Sequence, residues 1–315
     1  MYAKKIAFLF PGQGSQSIGM GRSLADAFPA AKQTFAEADT ALGYSLSDLC
    51  FNGPEDKLKH TEITQPAILT VSIAAARVLA ERNITPAFCA GHSLGEYSAH
   101  VAAGTFSFED AVRTVRSRGR YMQEAVPIGE GSMAAILGLN QPDVESVCAD
   151  AARETAQVVS AANINSPEQI VISGAKAAVE RAMALAKDRG AKRAIPLPVS
   201  APFHCALMQP AQDRLAADLA RLNFNAPRIP VVTNVEAQPA IDADHAREML
   251  VKQVTGSVLW VQVIQKLIAL GAELFVEVGP GKVLCGLLRQ IDRSQTCLNV
   301  EDDASLQKTL QFIGS

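Results

Sequence analysis

Residues 87–96 read AFCAGHSLGE, and this stretch decides how the fold is interpreted. The apolar run Ala87–Ala90 is typical of a short buried strand, and a helical pattern follows from Glu96 to Ala103. Between them lies Gly91-x-Ser93-x-Gly95, the pattern of a nucleophile elbow, in which a sharp turn holds a serine hydroxyl above a strand end. The turn is tight, so its flanking positions must lack side chains. The stretch predicts a strand–turn–helix unit that presents Ser93 as a nucleophile.

The start of the helix after Ser93 adds a second feature. A helix N-terminus favours negative charge nearby, and the backbone N–H of Leu94 is a ready donor to an oxyanion. The Gly-x-Ser-x-Gly pattern alone is common. Its position between a strand and a helix favours a catalytic serine over a chance match.

Strands and helices alternate over much of the remaining chain. Ile6–Phe10 is a predicted strand near the N-terminus, and Ile229–Thr233 and Glu273–Val278 are predicted strands near the C-terminus. Helical patterns cover Val258–Leu270 and Lys282–Ile291. This alternation predicts an α/β fold with a mainly parallel sheet covered by helices on both faces.

The middle of the chain follows a different order. Its predicted elements are, in sequence, strand Ser132–Leu139, helix Pro142–Glu154, strands Val158–Ile164 and Gln169–Ala175, helix Ala177–Gly190 and strand Ala194–Val199. The order βαββαβ is that of a ferredoxin-like unit. We therefore expect a catalytic core of residues 1–128 and 200–315, with residues 129–199 forming an inserted ferredoxin-like subdomain.

Composition excludes several classes of protein. The 315 residues include 48% hydrophobic and 19% charged residues, with a net charge of −3, so no basic excess indicates a nucleic-acid partner. No run of about 18 apolar residues is free of charge, so no membrane span is expected. The five histidines show no metal-ligand spacing, and we expect neither a metal nor a tightly bound cofactor.

Cysteine usage predicts the compartment. The six cysteines form no Cys-x-x-Cys pair, and several lie in apolar runs where a free thiol packs as a small hydrophobic group. We therefore expect no disulfide framework and a reducing, cytoplasmic location.

A nucleophilic serine needs a base, and His204 is the candidate. It follows the last strand of the predicted insertion, in a loop, which is a suitable place for a general base. His92 adjoins Ser93, but adjacent side chains diverge at a tight turn. The remaining histidines are expected to be structural. His100 would pack on a helix, and His60 and His245 would lie at the surface. The acidic residues after His204 are scattered, and none lies in a loop whose position indicates the acid of a triad. This argues against an ordinary esterase triad.

Arg118 lies at the edge of the apolar stripe of a predicted helix, Phe108–Met122, in line with Ala111 and Met122. A buried arginine needs an anionic partner because its desolvation is costly. The partner could be an internal carboxylate, or it could be a substrate carboxylate held by both arms of the guanidinium. Periodicity leaves both interpretations open.

An ordered set of motifs resembles the malonyl-CoA:acyl carrier protein transacylase family over nearly the whole chain. The motifs are FPGQGSQ at 10–16, GHSLGEY at 91–97, Arg118-Gly119 with Tyr121-Met122-Gln123, AN-x-NSP at 162–167, Phe203-His204, and EVGPG at 277–281. The set is far more specific than any one member. It implies a hydrolase-like core carrying a ferredoxin-like insertion.

The resemblance also implies roles for individual residues. Ser93 would be the nucleophile and His204 its base, while the backbone N–H groups of Gln13 and Leu94 would form the oxyanion hole. Arg118 would hold the malonyl carboxylate. In this family a main-chain carbonyl near the position of Gln253, rather than an aspartate, steadies the histidine.

Two apolar residues complete the expected substrate site. The ring of Phe203, next to His204, should disfavour an α-methyl group on the substrate. Met122 is expected among the substrate-binding residues.

The reaction implied is transfer of a malonyl group from malonyl-CoA to the thiol of acyl carrier protein, by ping-pong kinetics through a malonyl-serine. We expect a monomer without nucleic-acid or membrane partners. The alternatives are a serine hydrolase such as a thioesterase, or an acyltransferase for another short acyl-CoA. A dinucleotide or phosphate loop at Gly12-Gln13-Gly14 is rejected because Ser17 replaces the required glycine and no Walker lysine follows.

Overall fold

Two sheets organise the chain in a computed structural model, which describes residues 4–199 and 201–314. The strands are β1 Ile6–Phe10, β2 Phe88–Gly91, β3 Gly131–Leu137, β4 Val159–Ser166, β5 Gln169–Ala175, β6 Arg193–Pro196, β7 Val231–Val232, β8 Leu274–Val278 and β9 Cys297–Val300. The helices are α1 Arg22–Ala27, α2 Pro29–Leu42, α3 Leu46–Asn52, α4 Glu55–Leu58, α5 Thr61–Glu81, α6 Leu94–Ala102, α7 Phe108–Glu124, α8 Gln141–Thr155, α9 Lys176–Asp188, α10 Gln209–Leu219, α11 Ala243–Lys252, α12 Trp260–Ala269, α13 Val283–Ile291 and α14 Asp303–Gly314.

The first sheet is parallel throughout, in the order β7-β2-β1-β8-β9. Strand β1 is at its centre and is buried on both faces: Phe8 and Phe10 pack into one apolar cluster, and Ala7 and Leu9 pack into another. Successive side chains of a strand point to opposite faces, so a strand covered by helices on both sides must be apolar at every position. The predicted α/β fold with a mainly parallel sheet is confirmed.

The second sheet is antiparallel, in the order β4-β5-β3-β6, and α8 and α9 pack against it. The chain order of these elements is the predicted βαββαβ. The sheets meet where β4 runs beside the segment before α12: Ile164 donates to the Val258 carbonyl at 2.9 Å, and Val258 donates to the Ala162 carbonyl at 2.8 Å. The division at residues 129 and 200 stays a prediction, and Ser200 itself lies outside the described residues.

The position of helix α5 in the core explains its apolar composition. By length and hydropathy Thr61–Glu81 could cross a membrane, yet 78% of its most apolar window is buried inside the protein. It packs between the sheet and helices α2, α6 and α7. Its composition is therefore that of a central core helix.

Several elements escaped the sequence analysis. The edge strand β9 and helices α10, α11 and α14 were not predicted. β9 is short and contains the polar Asn299, so its apolar pattern is weak. Helix α11 is amphipathic and its cap is clear only in three dimensions, where the Asp242 side chain accepts from the N–H of His245.

We expected no disulfide framework, and the described residues contain a single disulfide. Cys285 of α13 and Cys297 of β9 form a disulfide. These residues come from elements whose packing brings their Cα atoms to 5.4 Å, and spacing in the sequence carries no sign of that approach. The other cysteines, Cys50, Cys89, Cys148 and Cys205, are free and buried.

The turn between β2 and α6 is compressed against β1. A Cβ atom built on Gly91 would lie 1.9 Å from the carbonyl carbon of Gly95. A Cβ on Gly95 would lie 2.0 Å from the carbonyl oxygen of Phe10. Both glycines are therefore required by close backbone approach, because backbone atoms at such positions cannot move aside as a side chain would.

We expect Gly95→Ala to lower the free energy of unfolding by about 3 kcal/mol or more, because the added methyl group overlaps the backbone of β1. The matched control is Gly286→Ala in α13, where a Cβ meets nothing within 4 Å. That change should stabilise the protein by about 0.5–1 kcal/mol by removing backbone freedom from the unfolded chain. Urea unfolding of both variants tests this, and equal stabilities would contradict it.

Candidate active site

Ser93 lies at the N-terminus of α6 in a strained backbone conformation, with φ 50° and ψ −108°. Positive φ is rare for a residue with a side chain and is found at functional turns. The side chain of Asn234 holds this turn from both sides: it accepts from the Ser93 N–H at 2.7 Å and donates to the Gly91 carbonyl at 2.7 Å. The strain is therefore maintained by a specific neighbour from the loop after β7.

His204 is hydrogen-bonded to Ser93, with 2.7 Å between Nε2 and the serine Oγ. Its other ring nitrogen, Nδ1, donates to the main-chain carbonyls of Gln253 at 2.9 Å and Gly256 at 3.2 Å. Carbonyl oxygens can only accept, so they hold the proton on Nδ1 and leave Nε2 free to accept the serine proton. Two carbonyls thus do what an aspartate does in an ordinary triad, and the missing acid is explained.

The surroundings of His204 keep its ring neutral. Burial, and then the positive charge of Arg118, lower the pKa of His204 from 6.5 to about 3. A neutral imidazole is the form that can accept a proton. The folded-state pKa lies below the unfolded value, so neutral His204 contributes stability above pH 6.5 that is lost as the pH falls towards 3.

Arg118 projects from α7 into the same region and is only 2% exposed. Its Nη1 donates to Gln65 Oε1 at 2.8 Å, and its Nη2 donates to Gln253 Oε1 at 2.8 Å and to Ser93 Oγ at 3.1 Å. The guanidinium also lies over the ring of Tyr97, 5.4 Å from its centre. Within residues 4–199 and 201–314, no carboxylate is within 4.0 Å of it.

This arrangement decides between the two interpretations of Arg118. A buried cation bound only to neutral acceptors has an unmet preference for an anion. Burial lowers the pKa of Arg118, and the remote Glu96 is among the groups that oppose this shift. Arg118 lines the same cavity as Ser93 and His204. The site is therefore suited to a ligand that carries a carboxylate.

A cavity of about 480 Å³ lies between the two sheets. From the catalytic side it is lined by Ser93, His204, Arg118, Met122, Gln13 and Phe203. From the second sheet it is lined by Met133, Ala135, Asn163, Asn165, Gln169 and Val171. Of the residues named from sequence, Gln253 and Leu94 do not line it: Gln253 is fully buried behind Arg118, and Leu94 contributes its backbone at the start of α6.

The loop carrying Gln13 is pressed against the elbow. A Cβ on Gly12 would lie 2.4 Å from the carbonyl oxygen of His92. The Ser15 hydroxyl closes the loop by donating to the Gly12 carbonyl at 2.8 Å. The first N–H groups of a helix have no partner within it, which leaves the Leu94 N–H available beside the same loop. The two expected oxyanion donors, on Gln13 and Leu94, thus come from segments in contact.

The other histidines take structural positions. His92 is buried and its Nε2 lies 2.8 Å from Asn165 Oδ1, while its ring packs on Trp260. His100 is buried on α6 against Thr105, and burial lowers its pKa to about 3. His60 is exposed, and His245 lies 3.2 Å from Glu236.

Sequence reasoning missed four polar side chains that build the site: Gln65, Glu96, Asn165 and Asn234. Gln65 carried a signal, because it is a polar residue inside the apolar helix α5 and is 1% exposed. Glu96 and Asn165 lay inside recognised motifs without an assigned role. Asn234 carried no signal, since it reaches the elbow across 141 positions of sequence.

Comparisons with known proteins agree with this geometry. A family model described as acyl transferase domain matches residues 7–308. The chain is 50% identical over 309 residues to the malonyl CoA-acyl carrier protein transacylase of Escherichia coli strain K12, covering 98% of this chain and 99% of that one. It is also 50% identical over 309 residues to the protein of the same name from Bacillus subtilis strain 168, covering 98% and 97%.

The chain is also similar over nearly its whole length to solved structures of transacylases. The malonyl CoA-acyl carrier protein transacylase from Coxiella burnetii aligns with a TM-score of 0.95 at 45% identity, covering 98% of each chain. A malonyl-transacylase solved in complex with its type II polyketide synthase acyl carrier protein aligns with a TM-score of 0.95 at 47% identity, covering 98% of this chain and 99% of that one.

The low pKa of His204 generates a prediction for the reactivity of Ser93. An ordinary histidine with a pKa of 6.5 would lose its neutral form about tenfold between pH 7.5 and pH 5.5. We expect the rate of Ser93 modification by an uncharged sulfonyl fluoride to change by less than about threefold over this range, because His204 stays neutral. The rate is measured from intact-protein mass against time. A tenfold fall with a midpoint near pH 6.5 would show that His204 titrates normally.

Proposed function

The chain belongs to the acyl transferase domain family, and from this premise we propose that it transfers a malonyl group from malonyl-CoA to the thiol of acyl carrier protein through an ester on Ser93. One observation carries the choice of acyl group. The buried guanidinium of Arg118 lies 3.1 Å from the nucleophilic oxygen and has no carboxylate within 4.0 Å in the described part of the chain. A malonyl group supplies that carboxylate, whereas an acetyl group does not.

In the first half of the reaction, His204 Nε2 takes the proton of Ser93 while Oγ attacks the malonyl thioester carbon. The tetrahedral oxyanion is held by the N–H groups of Gln13 and Leu94, with the α6 N-terminus adding its dipole. The carbon–sulfur bond then breaks, and the proton on Nε2 passes to the departing coenzyme A thiolate. The product of this half-reaction is malonyl-Ser93 and free coenzyme A.

Arg118 holds the malonyl group during this exchange. Its Nη2 donates to Ser93 Oγ in the free protein, and esterification of that oxygen weakens it as an acceptor. The malonyl carboxylate takes its place and pairs with the guanidinium in a water-poor cavity, where a charged hydrogen bond is stronger than in water. The apolar side chains of Phe203 and Met122 border the same space and limit the bulk of the acyl chain.

In the second half, the carrier's thiol enters in place of coenzyme A. His204 Nε2 removes its proton as sulfur attacks the ester carbonyl, and the proton returns to Ser93 Oγ when the ester breaks. Coenzyme A, which leaves in the first half, and the carrier, which enters in the second, each present a thiol to Ser93. One cavity mouth therefore serves both. The kinetics are ping-pong.

The remaining assignments are also proposals. Residues 129–199 form an inserted subdomain between core segments 1–128 and 200–315, which is supported by the separate antiparallel sheet and its own apolar cluster. The protein acts as a monomer, since one chain supplies every side chain of the site. We also propose a cytoplasmic location; the four free thiols support it, whereas the Cys285–Cys297 disulfide does not.

The covalent step and the carboxylate clamp are tested together by loading with malonyl-CoA or acetyl-CoA, followed by intact-protein mass. Wild type should gain a malonyl adduct and Ser93→Ala should gain none. Arg118→Ala should lose at least about thirtyfold in the preference for malonyl over acetyl, because the substrate carboxylate is left unpaired in a buried site.

The matched control is Arg113→Ala, an exposed arginine on the same helix whose Nε donates to the Ala41 carbonyl. Its preference should equal that of wild type. Addition of carrier protein bearing its thiol arm should then remove the adduct and leave malonyl-carrier. A wild-type adduct lost to water within seconds, with no malonyl-carrier formed, would identify a hydrolase instead.

A further inference from the structure

Glu96 is a fully buried carboxylate that the mechanism above does not use. It lies in the first turn of α6, three residues after Ser93, and its side chain faces away from the cavity. Its Oε2 accepts from Gln253 Nε2 at 2.6 Å and from the Asn234 N–H at 3.1 Å. Its Oε1 has no hydrogen-bond partner among the described residues. An ionisable group at such a position is costly unless it supports something specific.

Gln253 connects Glu96 to the site. Its side-chain Oε1 accepts from Arg118 Nη2 at 2.8 Å, while its Nε2 donates to Glu96 and, at 2.9 Å, to the Ser93 carbonyl. Its main-chain carbonyl accepts from His204 Nδ1. The residue therefore contacts the clamp through its side chain and the base through its backbone.

The orientation of the Gln253 amide matters because its two ends differ chemically. A half-turn of the amide would aim its NH₂ group at the Arg118 guanidinium and its oxygen at the Glu96 carboxylate. The first contact would bring donors together and the second would bring acceptors together. Glu96, together with the Ser93 carbonyl, thus selects the amide orientation in which oxygen faces Arg118.

We propose that Glu96 is a positioning residue for the carboxylate clamp: through the Gln253 amide it fixes the Arg118 guanidinium beside Ser93, and so determines the preference for malonyl over uncharged acyl groups. This inference rests on the proposed function. Glu96 itself touches no substrate. Its path to Arg118 runs through Gln253, and its second hydrogen bond, from the Asn234 N–H, leads to the turn of Ser93.

The charges around Glu96 agree with this role. The ionisable groups that face it are the Arg118 guanidinium from α7 and the phenol of Tyr97 on its own helix. Burial raises the pKa of Glu96 to about 7, while its hydrogen bonds to Gln253 and Asn234 and the positive charge of Arg118 act in the opposite direction. The Arg118 guanidinium and the Glu96 carboxyl group are thus separated by one neutral amide, which is hydrogen-bonded to both.

The test compares malonyl and acetyl loading rates for Glu96→Ala and Glu96→Gln. In Glu96→Ala the Gln253 amide loses its shortest hydrogen bond, the one to Glu96, and keeps the one to the Ser93 carbonyl, so the preference for malonyl should fall at least about tenfold through misplacement of Arg118. Acetyl loading should change by less than about threefold, because His204 is held by main-chain carbonyls that the substitution does not remove.

Glu96→Gln keeps an acceptor oxygen at the same place, so its malonyl preference should stay within about threefold of wild type. This variant conserves volume and provides a test even where the alanine variant does not fold. The matched control is Ser98→Ala, a fully buried position on the same helix whose hydroxyl has no partner among the described residues. Its preference should be unchanged.

The double variant Glu96→Ala/Arg118→Ala separates positioning from general damage. If Glu96 acts through the clamp, its removal should not alter the preference further once Arg118 is absent. An unchanged preference in Glu96→Ala, a tenfold loss in Glu96→Gln, or additive effects in the double variant would overturn the inference while leaving the proposed function standing. Failure of wild type to take up malonyl at all would overturn both.

Discussion

The close approach of three backbone segments is the constraint on which the site depends. Strand β1, strand β2 and helix α6 meet at Gly91 and Gly95 with no room for a Cβ atom on either residue. This contact forces a turn so sharp that Ser93 adopts positive φ. The nucleophile, the helix N-terminus and the loop of Gln13 are thereby brought to one point at the end of the parallel sheet. Such a position at the carboxyl ends of strands is where α/β sheets generally bind ligands.

Around this point the hydrogen-bond partners of His204 and Arg118 are neutral groups, where carboxylates are common partners of histidine and arginine. The tautomer of His204 is set by two carbonyls, and the hydrogen bonds of Arg118 go to two amides and the serine. A carboxylate in direct contact with either group would occupy the position intended for the substrate or raise the basicity of the histidine. The carboxyl group of Glu96 is held one residue away from Arg118, behind Gln253. The site is therefore complete in structure but retains one unpaired positive charge facing the cavity.

The two sheets contribute different parts of the site. The parallel sheet positions Ser93 at the end of β2, and the antiparallel sheet supplies a wall of the cavity through Asn163, Asn165 and Val171. The hydrogen bonds between β4 and the segment before α12 lock this wall in register with the loop that carries Asn234. Asn165 also fixes the ring of His92, which adjoins Ser93. The antiparallel sheet is thus coupled to the Ser93 turn by direct contacts.

The sequence by itself determined the local features, because they depend on neighbours within a few residues. The strand–turn–helix unit and the position of Arg118 beside the apolar stripe of its helix followed from spacing and periodicity. The position of His204 in a loop after a strand also made it the candidate base, and the motif resemblance added a main-chain carbonyl near Gln253 as its partner. Only the tertiary structure decided that Gln65, Asn234 and Glu96 meet Arg118, Ser93 and Gln253, or that Cys285 meets Cys297. Periodicity reports which face of an element is buried, whereas the partners on that face come from distant segments and are set by how the elements pack together.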